Sequence, residues 1–154
     1  MKITKELLKE KGACAAGYRD FLKEYPVDKY PDGVEYQELL DCCAEKDFSY
    51  GSWLLDAFGK TVEVRKIEGD LIVEKGIIFA GQLEVKGCIK AGGSIKAGWG
   101  IKAGCGIEAG DEFGIYAGLR CRITNKTLRK IIAKKRPENI MCGEFEEKSD
   151  SEGK

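Results

Sequence analysis

Between Leu71 and Leu119 one apolar residue returns at every sixth position: Leu71, Ile77, Leu83, Ile89, Ile95, Ile101, Ile107, Phe113 and Leu119. The middle of the series is nearly verbatim, reading IKAGGS, IKAGWG, IKAGCG and IEAGDE. A helix advances about 100° per residue, so a six-residue step would turn successive isoleucines to different sides. A strand has period two, and six is even, so every member of the series falls on one face. Collagen needs abundant Pro, and the repeat region has none. A flexible glycine linker would not hold Ile in register. The pattern predicts a coil of short strands, a β-solenoid, with Gly at corners whose backbone angles resist a Cβ.

Three sides per turn give a turn of about 18 residues and three stacked columns. Leu71, Ile89 and Ile107 form the first; Ile77, Ile95 and Phe113 the second; Leu83, Ile101 and Leu119 the third. The residue two further along also points inward: Val73, Phe79 and Val85, then Ala91, Ala97, Ala103 and Ala109. Outward positions hold Glu84, Lys90, Lys96, Lys102 and Glu108, which sets Lys90 near Glu108 and Glu84 near Lys102. Such exposed pairs contribute about 0–1 kcal/mol each and serve register and solubility. About three turns make a coil roughly 15 Å tall. Its end turns expose apolar surface and strand edges, which the flanking segments or a second chain must cover.

The flanks divide the chain further. Residues 1–59 read as a small helical domain. Thr4 caps a helix that runs through Lys11 and stops at Gly12. Ala13 to Tyr25 carries Tyr18, Phe21, Leu22 and Tyr25 at helical spacing, and Pro26 follows. Asp28 to Gly33 is turn chemistry. Glu35 to Glu45 is a third helix; Ser49 or Ser52 opens a fourth, which Gly59 ends. In KTVEVRKIE, Val62 and Val64 alternate as a lead-in strand, and the coil fills 60–123. The stretch 124–146 is a basic capping segment. Its Leu128, Ile131 and Ile132 share one helical face, extended structure is equally allowed, and Ile140-Met141-Cys142 returns as a strand against the coil end. EFEEKSDSEGK reads as polar, acidic and disordered, with 147–154 as a separate tail. The fold class is α+β: a helical domain, a short β-solenoid and a C-terminal cap.

Lys plus Arg equals Asp plus Glu at 26 each, so no global charge draws the chain to nucleic acid or a membrane. No apolar run is long enough to span a bilayer, and MKITKELLKEKG is not a signal peptide, so a cytoplasmic setting is expected. Seven Cys without a C-x-x-C pair suit reduced thiols, with Cys88, Cys105 and Cys121 as small residues of the coil. The chain has no His, which removes the commonest general base and zinc ligand. G-x-G-x-x-A occurs at Gly98-Gly100-Ala103 and Gly104-Gly106-Ala109, but a strand follows where a dinucleotide site needs a helix. No catalytic residue, metal or cofactor is expected.

Contact with a partner falls to exposed residues. Trp99 lies outside the inward series, at a corner beside Lys96 and Lys102; it is either a contact anchor or packed on the helical domain. Lys126, Arg129, Lys130, Lys134, Lys135 and Arg136 supply a basic group. It suits phosphate or an acidic protein face, or else forms a solvated surface paired with the chain's own acidic domain.

The hexad period resembles that of the hexapeptide-repeat acyltransferases. Those place a small residue two positions before the aliphatic one, where Lys75, Gly93, Trp99 and Cys105 stand here, and they use a His base. The glycine-punctuated hexads resemble bactofilins, cytoskeletal β-helices that polymerise end to end. Across about residues 1–146, MKITKELLKEKGAC, DGVEYQELLD, WLLDAFGK, IKAGWGIKAG and KKRPENIMCGEF resemble a family of small proteins of phages and bacterial mobile elements. That resemblance implies an accessory gene, some of which encode inhibitors of host defence, anti-CRISPR proteins among them. The expectation is a non-enzymatic protein-binding inhibitor, with a homodimer and nucleic-acid contact left open. The alternative is a structural coil that self-associates.

Overall fold

In the computed structural model of the protein, which describes residues 1–110, 114–118 and 130–148, short polar caps start the first two helices. The strand β1 (Lys2–Ile3) leads into α1 (Lys5–Glu10), where the Thr4 hydroxyl accepts from the Leu7 amide at 3.3 Å. At α2 (Ala15–Glu24) the Cys14 thiol takes the same role towards Gly17 at 3.4 Å. A turn ending at Gly33 leads to β2 (Val34–Glu35), which pairs antiparallel with β1. Two-residue strands carry no periodicity, so this ribbon was invisible in the pattern. Next come α3 (Tyr36–Glu45) and α4 (Gly51–Phe58), and Gly59 ends α4 at φ +77°, where a Cβ would strain the chain. The four helices lie where the sequence puts them. Among the described residues no helix is long and apolar enough to cross a membrane.

The rest is a parallel β-solenoid of about four turns, one more than the hexads predict. Among the described residues its three faces are five, three and four strands deep. The first holds β3 (Val64–Ile67), β6 (Gln82–Val85), β9 (Ile101–Ala103), β12 (Lys130–Ala133) and β14 (Glu144–Glu147). The second holds β4 (Leu71–Val73), β7 (Ile89–Ala91) and β10 (Ile107–Glu108). The third holds β5 (Ile77–Phe79), β8 (Ile95–Ala97), β11 (Ile115–Ala117) and β13 (Ile140–Cys142).

The column Leu71, Ile89, Ile107 stands in register as read. So do Ile77 over Ile95 and Leu83 over Ile101. Below them the hexad slips. Ile115, not Phe113, pairs with Ile95, and Ile131, not Leu119, pairs with Ile101. Phe113 and Leu119 lie outside the described residues. The physical reason is packing: each inner side needs a large residue and a small one two places on. Ile115 with Ala117 and Ile131 with Ala133 supply that pair, and all four are 0% exposed.

The slip corrects two boundaries. The coil does not end at 123: β12, within the stretch read as a basic cap over 124–146, is a strand of the coil. The stretch read as a disordered tail begins with β14, paired with β12 along its length. The return of Ile140–Cys142 as a strand is seen, against β11. The first strand also differs. Val62 and Val64 face outward, at 93% and 45% exposure, while Arg65 and Ile67 occupy the inward register positions. Arg65 sits above Phe79, 4.6 Å from its ring, and reaches Asp41 of α3 at 3.4 Å. An end layer favours such a residue, with an apolar stem and a head that leaves the shaft.

The helical domain docks on the third face. Ile78 points out of the coil, and with Ala80 it is buried among the helices' core residues. β5 begins its sheet, so among the described residues its outer backbone edge has no strand beside it. The Gln37 amide takes that place: its Nε2 donates to the Ile78 carbonyl at 2.8 Å, and its Oε1 accepts from the Ala80 amide at 3.1 Å. One side chain thus imitates a neighbouring strand and closes an edge. Replacing Gln37 with Leu strands both backbone groups and should lower unfolding free energy by about 2 kcal/mol in urea titration. Ile101→Ala, in the sealed shaft, should cost about 2–5 kcal/mol, while Ile72→Ala, on the outward side of β4, should stay within about 0.5 kcal/mol.

Candidate functional site

Parallel stacking collects side chains that are far apart in sequence. Ile67, Val85 and Ala103 share one rank, and Ala133 and Glu147 continue it. One place further along stand Glu68, Lys86, Gly104, Lys134 and Lys148. Gly104 is required here: a Cβ would lie 1.5 Å from the Lys86 carbonyl oxygen. The result is a cleft of about 250 Å³ lined by Lys66, Glu68, Glu84, Lys86, Lys102 and Lys148. Lys86 pairs with Glu68 across the corner. Lys134, Lys135 and Arg136 follow β12 on the same corner, all exposed. The Lys134 amide donates to the Cys105 carbonyl at 2.9 Å, and the Arg136 guanidinium lies 5.7 Å from the Phe145 ring. Ammonium groups on separate turns can meet a surface rich in carboxylates or phosphates, with an affinity that falls as salt rises.

The residues singled out in the sequence do not form one site. Lys102 belongs to the cleft, in register with Glu84 as expected, while Glu84 itself accepts from Gln82 Nε2 at 2.7 Å. Lys130 points outward but pairs with Glu146 of β14. Lys126 and Arg129 lie outside the described residues. Lys96 faces the helical domain, donating to the Ser52 hydroxyl at 3.0 Å and lying 5.7 Å from the Tyr116 ring. Trp99 is half-buried: its indole N–H donates to the Thr61 carbonyl at 2.8 Å, and the Lys60 ammonium sits 3.4 Å from its ring centre. Trp99 thus packs against the link between helices and coil. The predicted Lys90–Glu108 pair forms at 3.1 Å on the second face. Lys66, Lys86 and Lys148 were missed. An 18-residue stacking rule puts Lys86 over Gly104, but the slip after Ile107 hides which later residues join them.

A second feature lies within the helices, a cavity of about 440 Å³. Phe21, Tyr25, Leu39, Phe48, Tyr50 and Trp53 give it an apolar lining. Asp20 accepts from the Tyr50 hydroxyl at 3.1 Å, and Glu24 pairs with Lys46 at 2.5 Å, so both of its carboxylates are engaged. Such a lining suits an apolar group. Burial pushes the Tyr25 and Tyr36 hydroxyls well above the ordinary tyrosine range, the Cys42 thiol adding to the effect at Tyr25. Burial also pushes the Cys43 thiol up to about 12. These groups are held neutral. Among the described residues, no group of three or more Cys, Asp or Glu is placed to hold a metal ion.

The chain matches no family model, no curated protein and no solved structure. Its own geometry therefore carries the functional reading.

The raised acids give an alkaline prediction. Below pH 9 the Cys43 thiol is neutral folded and unfolded. Above that value the unfolded chain releases its proton first, so stability falls until about pH 12, where the folded thiol ionises too. Urea midpoints should hold from pH 7 to pH 8.5 and decline above about pH 9, and Cys43→Ala should flatten the first part of that decline.

Proposed function

We propose that this protein is a non-enzymatic binding protein that engages an acidic face of a protein partner through the lysine-rich corner of its coil. The observation that carries the reading is the corner itself. A chain with equal numbers of acidic and basic residues gathers Lys66, Lys86, Lys102 and Lys148 around one cleft, beside the exposed Lys134, Lys135 and Arg136. Complementary charge of this kind speeds encounter and fixes orientation more than it adds affinity. The filled interior supports the same reading, since the buried core is entirely apolar among the described residues. Recognition falls to the outside.

The resemblance to small phage and mobile-element proteins extends the proposal. The partner is a bacterial defence complex in the cytoplasm of the host, blocked by occlusion in the manner of anti-CRISPR proteins. A second reading has its own support. Among the described residues β3 begins the first face and β4 the second, and β14 ends the first, so strand edges stand at both ends of the coil. Those edges favour end-to-end self-association, bactofilin-like or as a homodimer.

The test replaces Lys134, Lys135 and Arg136 together by Glu, with circular dichroism to confirm the fold. Affinity capture from host lysate should retain a stoichiometric protein with the wild type. The triple variant should lose at least about tenfold in retention, and added salt should weaken the wild type likewise. Retention unaffected by both would overturn the charge reading. Light scattering that grows with protein concentration would favour self-association, and a salt-sensitive shift of DNA or RNA would replace the protein partner by nucleic acid.

A further inference from the structure

Cys88 and Cys105 lie one residue short of a full turn apart, on the same corner of the coil. Cys88 ends the corner between β6 and β7, and Cys105 lies in the corner between β9 and β10. The backbone locks these corners together. The amides of Gly104 and Cys105 both donate to the Gly87 carbonyl, at 2.9 and 3.2 Å, and the Ile89 amide donates to the Gly106 carbonyl at 3.0 Å. The two cysteines are thus diagonal neighbours on consecutive turns. Strand spacing with a one-residue offset places their Cα atoms roughly 6 Å apart, within the range a disulfide spans. Both are half-buried, with side chains in reach of solvent.

We propose that Cys88 and Cys105 form a modification site: a thiol pair that a low-molecular-weight disulfide oxidises to a bridge between consecutive turns. One thiolate attacks the oxidant, forms a mixed disulfide and releases one small thiol. The second thiolate attacks the protein sulfur of that mixed disulfide and releases the other. Two protons and two electrons leave the pair, and the oxidant is reduced to two thiols. The neighbouring Cys88 thiol, with burial and the nearby Asp70 carboxylate, pushes the Cys105 thiol's pKa up against the opposing pull of Lys134. Oxidation is therefore slow at neutral pH and quickens as pH rises.

The other described cysteines are placed differently. Cys43 is buried, Cys42 precedes it on the same helix, and Cys14 caps α2. The Cys142 thiol donates to the Ala117 carbonyl at 3.5 Å. The bridge would brace the corner whose Cys105 carbonyl holds the Lys134 amide at 2.9 Å. It would also stabilise the coil, because a cross-link between turns restricts the unfolded chain.

The test exposes the folded, full-length protein to oxidised glutathione, alkylates the remaining thiols and maps peptides without reduction. The expected product is one Cys88–Cys105 linked peptide, lighter than its two parts by two hydrogens. Its yield should rise with pH, and the oxidised protein should unfold at higher urea. Cys88→Ser and Cys105→Ser should each abolish the bridge and the midpoint shift, trapping the remaining cysteine as a glutathione adduct. Cys142→Ser should leave both intact. Recovery of Cys88 and Cys105 as alkylated thiols or separate adducts in the wild type, or bridged to other cysteines, overturns the proposal.

Discussion

In the middle turns of this coil each side sends one branched aliphatic residue and, two places on, one small residue into the same narrow shaft. The requirement is steric before it is hydrophobic. Three sides face one another across the axis, and interiors pack at near-crystalline density. Two large residues per side overfill the middle turns, and two small ones leave voids. Ile95 with Ala97, Ile101 with Ala103, Ile115 with Ala117 and Ile131 with Ala133 meet it with every member sealed from solvent. The parallel register, the glycine corners and the placing of outward charges all follow from keeping that pair in rank.

The same rule relaxes at the ends, and there the helical domain enters. Near its first turn the shaft takes Val73, Phe79 and Val85 where later turns take Ala. Phe79 is large enough to support Arg65 above it, whose head leaves the shaft for Asp41 of α3. Ile78 turns outward on the same strand and becomes part of the helices' core. β5 thus serves two cores through alternate side chains, while Gln37 occupies its open edge. A coil end is a hazard when its edge is bare. Here the cap is folded from the same chain, and it docks on a face rather than on a flat end.

This division explains what the sequence could reveal. The helices were legible because their stops are local: Gly12, Pro26 and Gly59 act within a turn of themselves. The upper columns were legible because the hexad is unbroken from Leu71 to Ile107. Beyond it, counting in sixes favoured Phe113 and Leu119, although only Ile115 and Ile131 bring an alanine two places on. The informative unit was the triplet I-x-A rather than the interval between aliphatic residues. The outward face of Ile78 was illegible for another reason, since nothing in a strand says that a second domain covers its outer side. The basic corner was half legible. Lys134, Lys135 and Arg136 stand out as a run, whereas Lys66, Lys86 and Lys148 join them only through a register that the slip conceals.

Register also turns an electrically neutral chain into a polar molecule. On the second face Lys90 meets Glu108, and on the first Lys130 meets Glu146. Each such exposed pair adds little to stability, about 0–1 kcal/mol. Their larger effect is to remove charge from the flat faces and leave an excess of cations along one corner. Acidic residues are in excess in the helical domain, on the far side of the sequence from that corner. A random scatter of the same residues would screen itself within about a Debye length of roughly 8 Å. A repeat cannot scatter them, because every outward position falls into a rank. The packing rule that fills the shaft therefore also writes the charge pattern on the surface, and a basic corner arises from a neutral sequence without any basic domain.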